Sequence, residues 1–186
     1  VGGLERYFQI ARCFRDEDLR ADRQPEFTQI NLEMSFVDVD DIVAVVEDML
    51  ARVMKGVHGL EIHGPFPRLS HAEAMARYGS DKPDTRFAME LVDLAECVAD
   101  SQFRVFQETL AAGGLVKAIC AKGQGTASRK QIDAWTETAK LFGAKGLAWM
   151  KQTDEGLAGG ISKFLSPDEQ AAVVARLGAE AGDIIL

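Results

Sequence analysis

Cysteine is scarce in this chain of 186 residues, and the three present, Cys13, Cys97 and Cys120, are an odd count with no close pair. That excludes a disulfide framework and a cysteine-based zinc motif, and leaves all three expected as buried free thiols. Long apolar runs are absent too: the stretch Ile42 to Val46 falls far short of the ~20 residues a membrane span needs. Val1-Gly2-Gly3 leads into a charged segment rather than an apolar leader, so a cytosolic protein without membrane contact is expected. There is no block of basic residues: 21 Lys and Arg stand against 29 Asp and Glu, for a net charge of -8. Composition alone therefore argues against a nucleic acid partner, which usually needs clustered cations. What is present is ordinary globular material, 47% hydrophobic and 27% charged, long enough for one or two domains with a real core.

Charge is unevenly spread, with net values of -2 over residues 1 to 37, -7 over 38 to 101 and +1 over 102 to 186. The change near residue 100, from acidic and hairpin-led to near-neutral with strands and helices alternating, places a domain boundary between 101 and 102.

Glu5 to Arg15 alternates, with Arg6, Phe8, Ile10, Arg12 and Phe14 on one face and Tyr7, Gln9, Ala11, Cys13 and Arg15 on the other. Phe27 to Val37 does the same: Thr28, Ile30, Leu32, Met34 and Phe36 should face a core, opposite Phe27, Gln29, Asn31, Glu33 and Ser35. Residues 16 to 26 between these strands are mostly charged and longer than a tight hairpin needs. After Asp40 the positions Ile42, Val45, Val46, Met49, Leu50, Val53, Met54 and Val57 keep helical spacing, and this helix should pack on the apolar side of the hairpin. A short helix is expected from Ser70 to Tyr78, with Ser70 and Glu73 as a capping box and Gly79 closing it. Beyond residue 102 the spacing predicts strands at Leu115 to Cys120, Gly146 to Met150 and Gly182 to Leu186. Helices should follow the Ser128/Gln131 and Ser166/Glu169 capping boxes.

Gln29, Asn31 and Glu33 form a polar strand face beside Cys13 and Arg15. Two readings are open. Antiparallel sheets often leave one face to solvent. Alternatively, this strip of donors, acceptors and an acid could hold an anionic ligand and a metal, with the strand-end Arg15 on phosphate and an aromatic on a base.

The run from Cys13 to Gln29, with Phe14-Arg15-Asp16-Glu17 and Arg23-Gln24-Pro25-Glu26-Phe27 at its ends, resembles the second signature motif of class II aminoacyl-tRNA synthetases in its aspartyl form. Tyr78-Gly79-Ser80-Asp81-Lys82-Pro83-Asp84 resembles the same bacterial-type family, and the section from about Phe103 resembles its GAD insertion domain. The resemblance implies an α+β chain: part of an antiparallel-sheet catalytic core over residues 1–101, then an α/β GAD-like domain over 102–186. It implies activation of L-aspartate by ATP with Mg²⁺, then transfer to the 3′ end of tRNA(Asp), with tRNA(Asn) left open, in a full-length homodimeric ligase of protein biosynthesis.

Carried over by position, Arg15 would hold the ATP α-phosphate and the substrate carboxylate, as the principal catalytic residue. Asp16, Glu17, Arg23, Gln24 and Phe27 would complete the ATP site, with Arg23 on the γ-phosphate and Phe27 stacked on adenine. Glu17 would approach the adenine edge or the tRNA acceptor stem, the latter together with Arg20. Gln29 and Asn31 would bind aspartate, and Glu33 would bind Mg²⁺. Asn31 departs from the family's usual Asp and loses charge assistance toward the substrate ammonium group.

His58, His63 and His71 lack ligand spacing, and Trp135 and Trp149 are expected in the core. Lys117, Lys122, Arg129, Lys130, Lys140, Lys145 and Lys151 are expected as scattered solvated charges. The family's first and third motifs and anticodon barrel are not found, so an internal fragment inactive by itself is expected. The other class of function is a non-catalytic module in which the GAD-like domain docks tRNA or protein.

Overall fold

The computed structural model describes residues 2–18 and 20–186. The two alternating segments form strands β1 (Arg6–Phe14) and β2 (Glu26–Met34), paired antiparallel with Ile10 opposite Ile30 and Cys13 opposite Phe27. Arg15 N–H donating to Pro25 O at 2.8 Å extends the ladder into the loop. Helix α1 (Val39–His58) starts at an Asp38/Asp41 capping box and ends on Gly59 in the left-handed region, φ 67°. The chain then doubles back along it, held by Phe66 N–H to Glu47 Oε1 at 3.0 Å and by Arg68 on Asp40 at 2.5 Å.

The expected seating of α1 on the apolar side of the hairpin is not found. Phe8 is 68% exposed and Ile10 70%, and no α1 side chain is buried. Two strands offer too narrow a surface to enclose a twenty-residue helix, which is held by its polar return segment instead.

The chain packs as two compact units, 1–68 and 69–186. This division differs from the composition shift at 101/102 because residues 92 to 98 belong to the second unit's core: Leu94 and Val98 are buried with Val116, Met150, Val173 and Ile185. In that unit α2 (His71–Tyr78) is followed by β3 (Val92–Asp93), α3 (Arg104–Ala111), β4 (Lys117–Ala118) and β5 (Cys120–Ala121). Helix α4 (Arg129–Leu141), β6 (Met150–Thr153), β7 (Gly156–Ala158), α5 (Pro167–Leu177) and β8 (Ile184–Ile185) complete it. β3 pairs with β4, while β5, β8, β6 and β7 form one sheet in that order, antiparallel throughout. The chain is thus α+β.

Capping boxes form at both Ser128/Gln131 and Ser166/Glu169. At α2 only half of the expected box forms: Ser70 accepts from Glu73 N–H, but the Glu73 carboxylate is drawn to Arg77 at 2.7 Å. The expected strand at Gly146 to Met150 starts only at Met150. Trp149 O is instead taken by Ile161 N–H at 3.2 Å, and Gly160, at φ 52°, lies so close that a Cβ would overlap that oxygen. The run Leu115 to Cys120 is split between two sheets. α3 and β7 were not anticipated. The cysteines are half-buried rather than buried, and both tryptophans pack on the core from its edge. Among the described residues no helix is long and apolar enough to cross a membrane.

Candidate functional site

The register of β1 and β2 puts Tyr7, Gln9, Ala11 and Cys13 on one face with Glu33, Asn31, Gln29 and Phe27. Cys13 Sγ approaches Gln29 Oε1 at 3.5 Å, and Asn31 Nδ2 donates to Glu33 Oε1 at 3.3 Å. Tyr7 Oη donates to Gln9 Oε1 at 2.8 Å, which adds two residues to the polar strip that the site reading had not used, although the same alternation displays them.

At the loop end this strip opens into a cleft of about 690 Å³ lined by Arg15, Glu17, Ala21, Asp22, Arg23, Gln24 and Phe27. Ladder geometry places Arg15 and Phe27 on the same face, and the Arg15 guanidinium lies over the Phe27 ring at 5.4 Å. Arg23 donates to Glu17 Oε2 at 3.1 Å across the loop. A guanidinium beside an aromatic face suits a phosphate next to a planar base. Two cations face two acids in the cleft, and Glu17 neutralises Arg23, so Arg15 is the cation that, among the described residues, an incoming anion meets without a paired carboxylate.

Of the residues picked out in the sequence, Arg15, Glu17, Arg23, Gln24 and Phe27 converge on this cleft. Asp16 and Arg20 are exposed and do not line it, while Gln29, Asn31 and Glu33 continue along the strand. Asp22 and Ala21 line the cleft without having been picked out, because nothing in a polar loop marks which residues turn inward. Glu33 belongs to no ready-made metal cage: among the described residues no group of three His, Cys, Asp or Glu side chains could hold a metal. It suits a divalent cation that takes one carboxylate from the protein and its other oxygens from phosphates and water, the habit of Mg²⁺.

The family described as tRNA synthetases class II (D, K and N) matches residues 1–177. The chain belongs to this family. As a class II synthetase chain it is 59% identical over its whole length to a protein of Anoxybacillus flavithermus named aspartate–tRNA(Asp/Asn) ligase. It is 58% identical to a protein of the same name in Bacillus cytotoxicus, and 55% identical to an aspartate–tRNA ligase of Shouchella clausii. In each comparison the whole chain is matched, and it spans 32% of the relative's length.

Proposed function

We propose that this class II synthetase chain supplies the ATP-binding hairpin of an aspartate–tRNA ligase, which activates L-aspartate as aspartyl-adenylate and transfers it to tRNA(Asp), in the cytoplasm. The observation that carries the reading is the convergence of Arg15, Arg23, Gln24 and Phe27 on one cleft, joined to the relatives' names. Arg15 neutralises charge at the α-phosphate as the carboxylate attacks, while Phe27 gives adenine a stacking surface. Arg23 holds the γ-phosphate, and Gln24 touches the ATP from the cleft wall. Gln29 and Asn31 are placed one and two alternations along the strand from Phe27, where the amino acid would lie, and Glu33 would ligate Mg²⁺, which when bound stabilises the leaving pyrophosphate.

No side chain serves as a covalent nucleophile; positioning and electrostatics carry the reaction. Glu17 and Arg20, on the loop, are the proposed contacts to the tRNA acceptor end, and residues 102–186 are the proposed GAD-like domain. The charging of tRNA(Asn) extends the proposal by analogy with the names of the relatives, and a homodimeric assembly of the full-length enzyme extends it by the family resemblance.

Titration of the chain with ATP tests the reading. Arg15→Ala should weaken binding at least about tenfold, as expected for a charge-assisted phosphate contact. Unchanged binding would remove Arg15 from the site.

A further inference from the structure

We propose that Glu17 is a phosphate surrogate, occupying the Arg23 guanidinium until a triphosphate displaces it, so that the loop discriminates by phosphate chain length. The inference rests on the reading of the cleft as an ATP site and adds a role that the reading does not require. Glu17 Oε2 accepts from Arg23 at 3.1 Å, and the Glu17 side chain is only 19% exposed against 45% for Arg23. The carboxylate is thus turned into the cleft and the arginine reaches across to it, spanning six residues of loop. A carboxylate and a terminal phosphate oxygen make the same charge-assisted demand on a guanidinium, so both cannot hold one donor edge at once.

Among the described residues Arg15 has no such partner, and its guanidinium lies over Phe27 at 5.4 Å. A nucleoside monophosphate, reaching Arg15 and the ring alone, leaves the Glu17 to Arg23 pair intact. A triphosphate must open it, which costs part of the gain from the last phosphate and leaves Glu17 available to another donor.

A pair that solvent reaches from the Arg23 side contributes little, so the effect is small and selective, about two- to fivefold. The test is titration of the full chain with ATP and with AMP, for the native protein, Glu17→Gln, Arg23→Ala and the double variant. Glu17→Gln should tighten ATP relative to AMP by about two- to fivefold, and the gain should vanish in the Arg23→Ala background. Equal weakening of both nucleotides by Glu17→Gln would make Glu17 a direct nucleotide contact and overturn the surrogate role while the ATP reading stands. An unchanged ratio, or a gain that persists without Arg23, would also overturn it. Binding of neither nucleotide by any of the four proteins would overturn the ATP reading and this inference with it.

Discussion

Asp183 shows how far one residue can organise a small domain. Its carboxylate is buried, yet it accepts from the backbone N–H groups of Glu180 at 2.8 Å and Gly123 at 2.9 Å and from Lys122 Nζ at 2.9 Å, with Cys120 Sγ at 3.6 Å. Burial alone would raise its pKa, but these donors together outweigh burial and hold the carboxyl well below its ordinary value of 3.8. The same cluster pushes the Cys120 thiol up, through burial first and the Asp183 charge second. Because the folded pKa is depressed, the stabilisation is complete above the ordinary carboxylate value and is lost as the pH falls below it. Asp183→Asn should therefore cost about 2 kcal/mol at neutral pH in urea unfolding, and the gap to the native protein should narrow progressively as the pH falls below the ordinary carboxylate value. A gap that stays constant with pH would contradict the ionised state. Nothing in the sequence distinguishes Asp183 from an exposed acid such as Glu180, since burial of a lone acid depends on which backbone amides the fold turns toward it.

At the scale of elements, Arg77 closes the base of the loop that follows α2. Its guanidinium holds Glu90 through two bonds of 2.8 and 2.7 Å and Glu73 at 2.7 Å, while Tyr78 Oη reaches Glu90 at 3.1 Å. Leu91 N–H donates to Arg77 O at 2.7 Å beside this clasp, so residues 79 to 90 are closed off as a loop with joined ends. Arg77→Gln should speed hydrogen exchange at the Leu91 amide by about tenfold while leaving α4 unaffected. Unchanged exchange there would show that the clasp is decorative.

The elements that were legible in the sequence carry long periodic patterns or local capping chemistry: the two hairpin strands, α1, α4 and α5. Those that were not are short or lack a marker. β4 and β5 are two residues each and join different sheets, β7 is three residues, and α3 follows Phe103 as its N-cap with no side-chain cap. The position of the candidate cleft was legible for a related reason: motif and alternation fix where Arg15 and Phe27 point, whereas the inward turn of Asp22 and the pairing of Glu17 with Arg23 depend on loop conformation.

At the scale of the whole molecule, the two units are closed to different degrees. Among the described residues every fully buried hydrophobic side chain lies in residues 69–186, while the first unit leaves Phe8, Ile10, Phe14 and Ile30 on an open sheet face. A two-stranded hairpin with an uncovered apolar face is marginal in water. Hydrogen exchange followed by mass spectrometry should accordingly find β1 and β2 exchanging faster than β6 and β8; equal protection would show that the hairpin's apolar face is covered in solution.

The basic residues of the second unit are largely occupied internally. Lys117, Lys122 and Lys151 donate to the carbonyls of Ala76, Gly178 and Ala127, and Arg129 and Lys140 pair with Asp133 and Glu137. Of these, Lys122, Arg129 and Lys140 are compensated by the carboxylates of Asp183, Asp133 and Glu137, so the number of basic residues overstates the net charge this surface can offer to a polyanion, and the hairpin cleft is the stronger candidate for a phosphate-bearing ligand.

The most direct measurement is photo-labelling of the chain with an azido derivative of ATP, followed by peptide mapping. Label should fall within residues 15 to 27, at the loop and Phe27, and unmodified ATP should compete it away. Competed label concentrated in residues 69 to 186, with residues 15 to 27 clean, would contradict the assignment of the cleft to ATP.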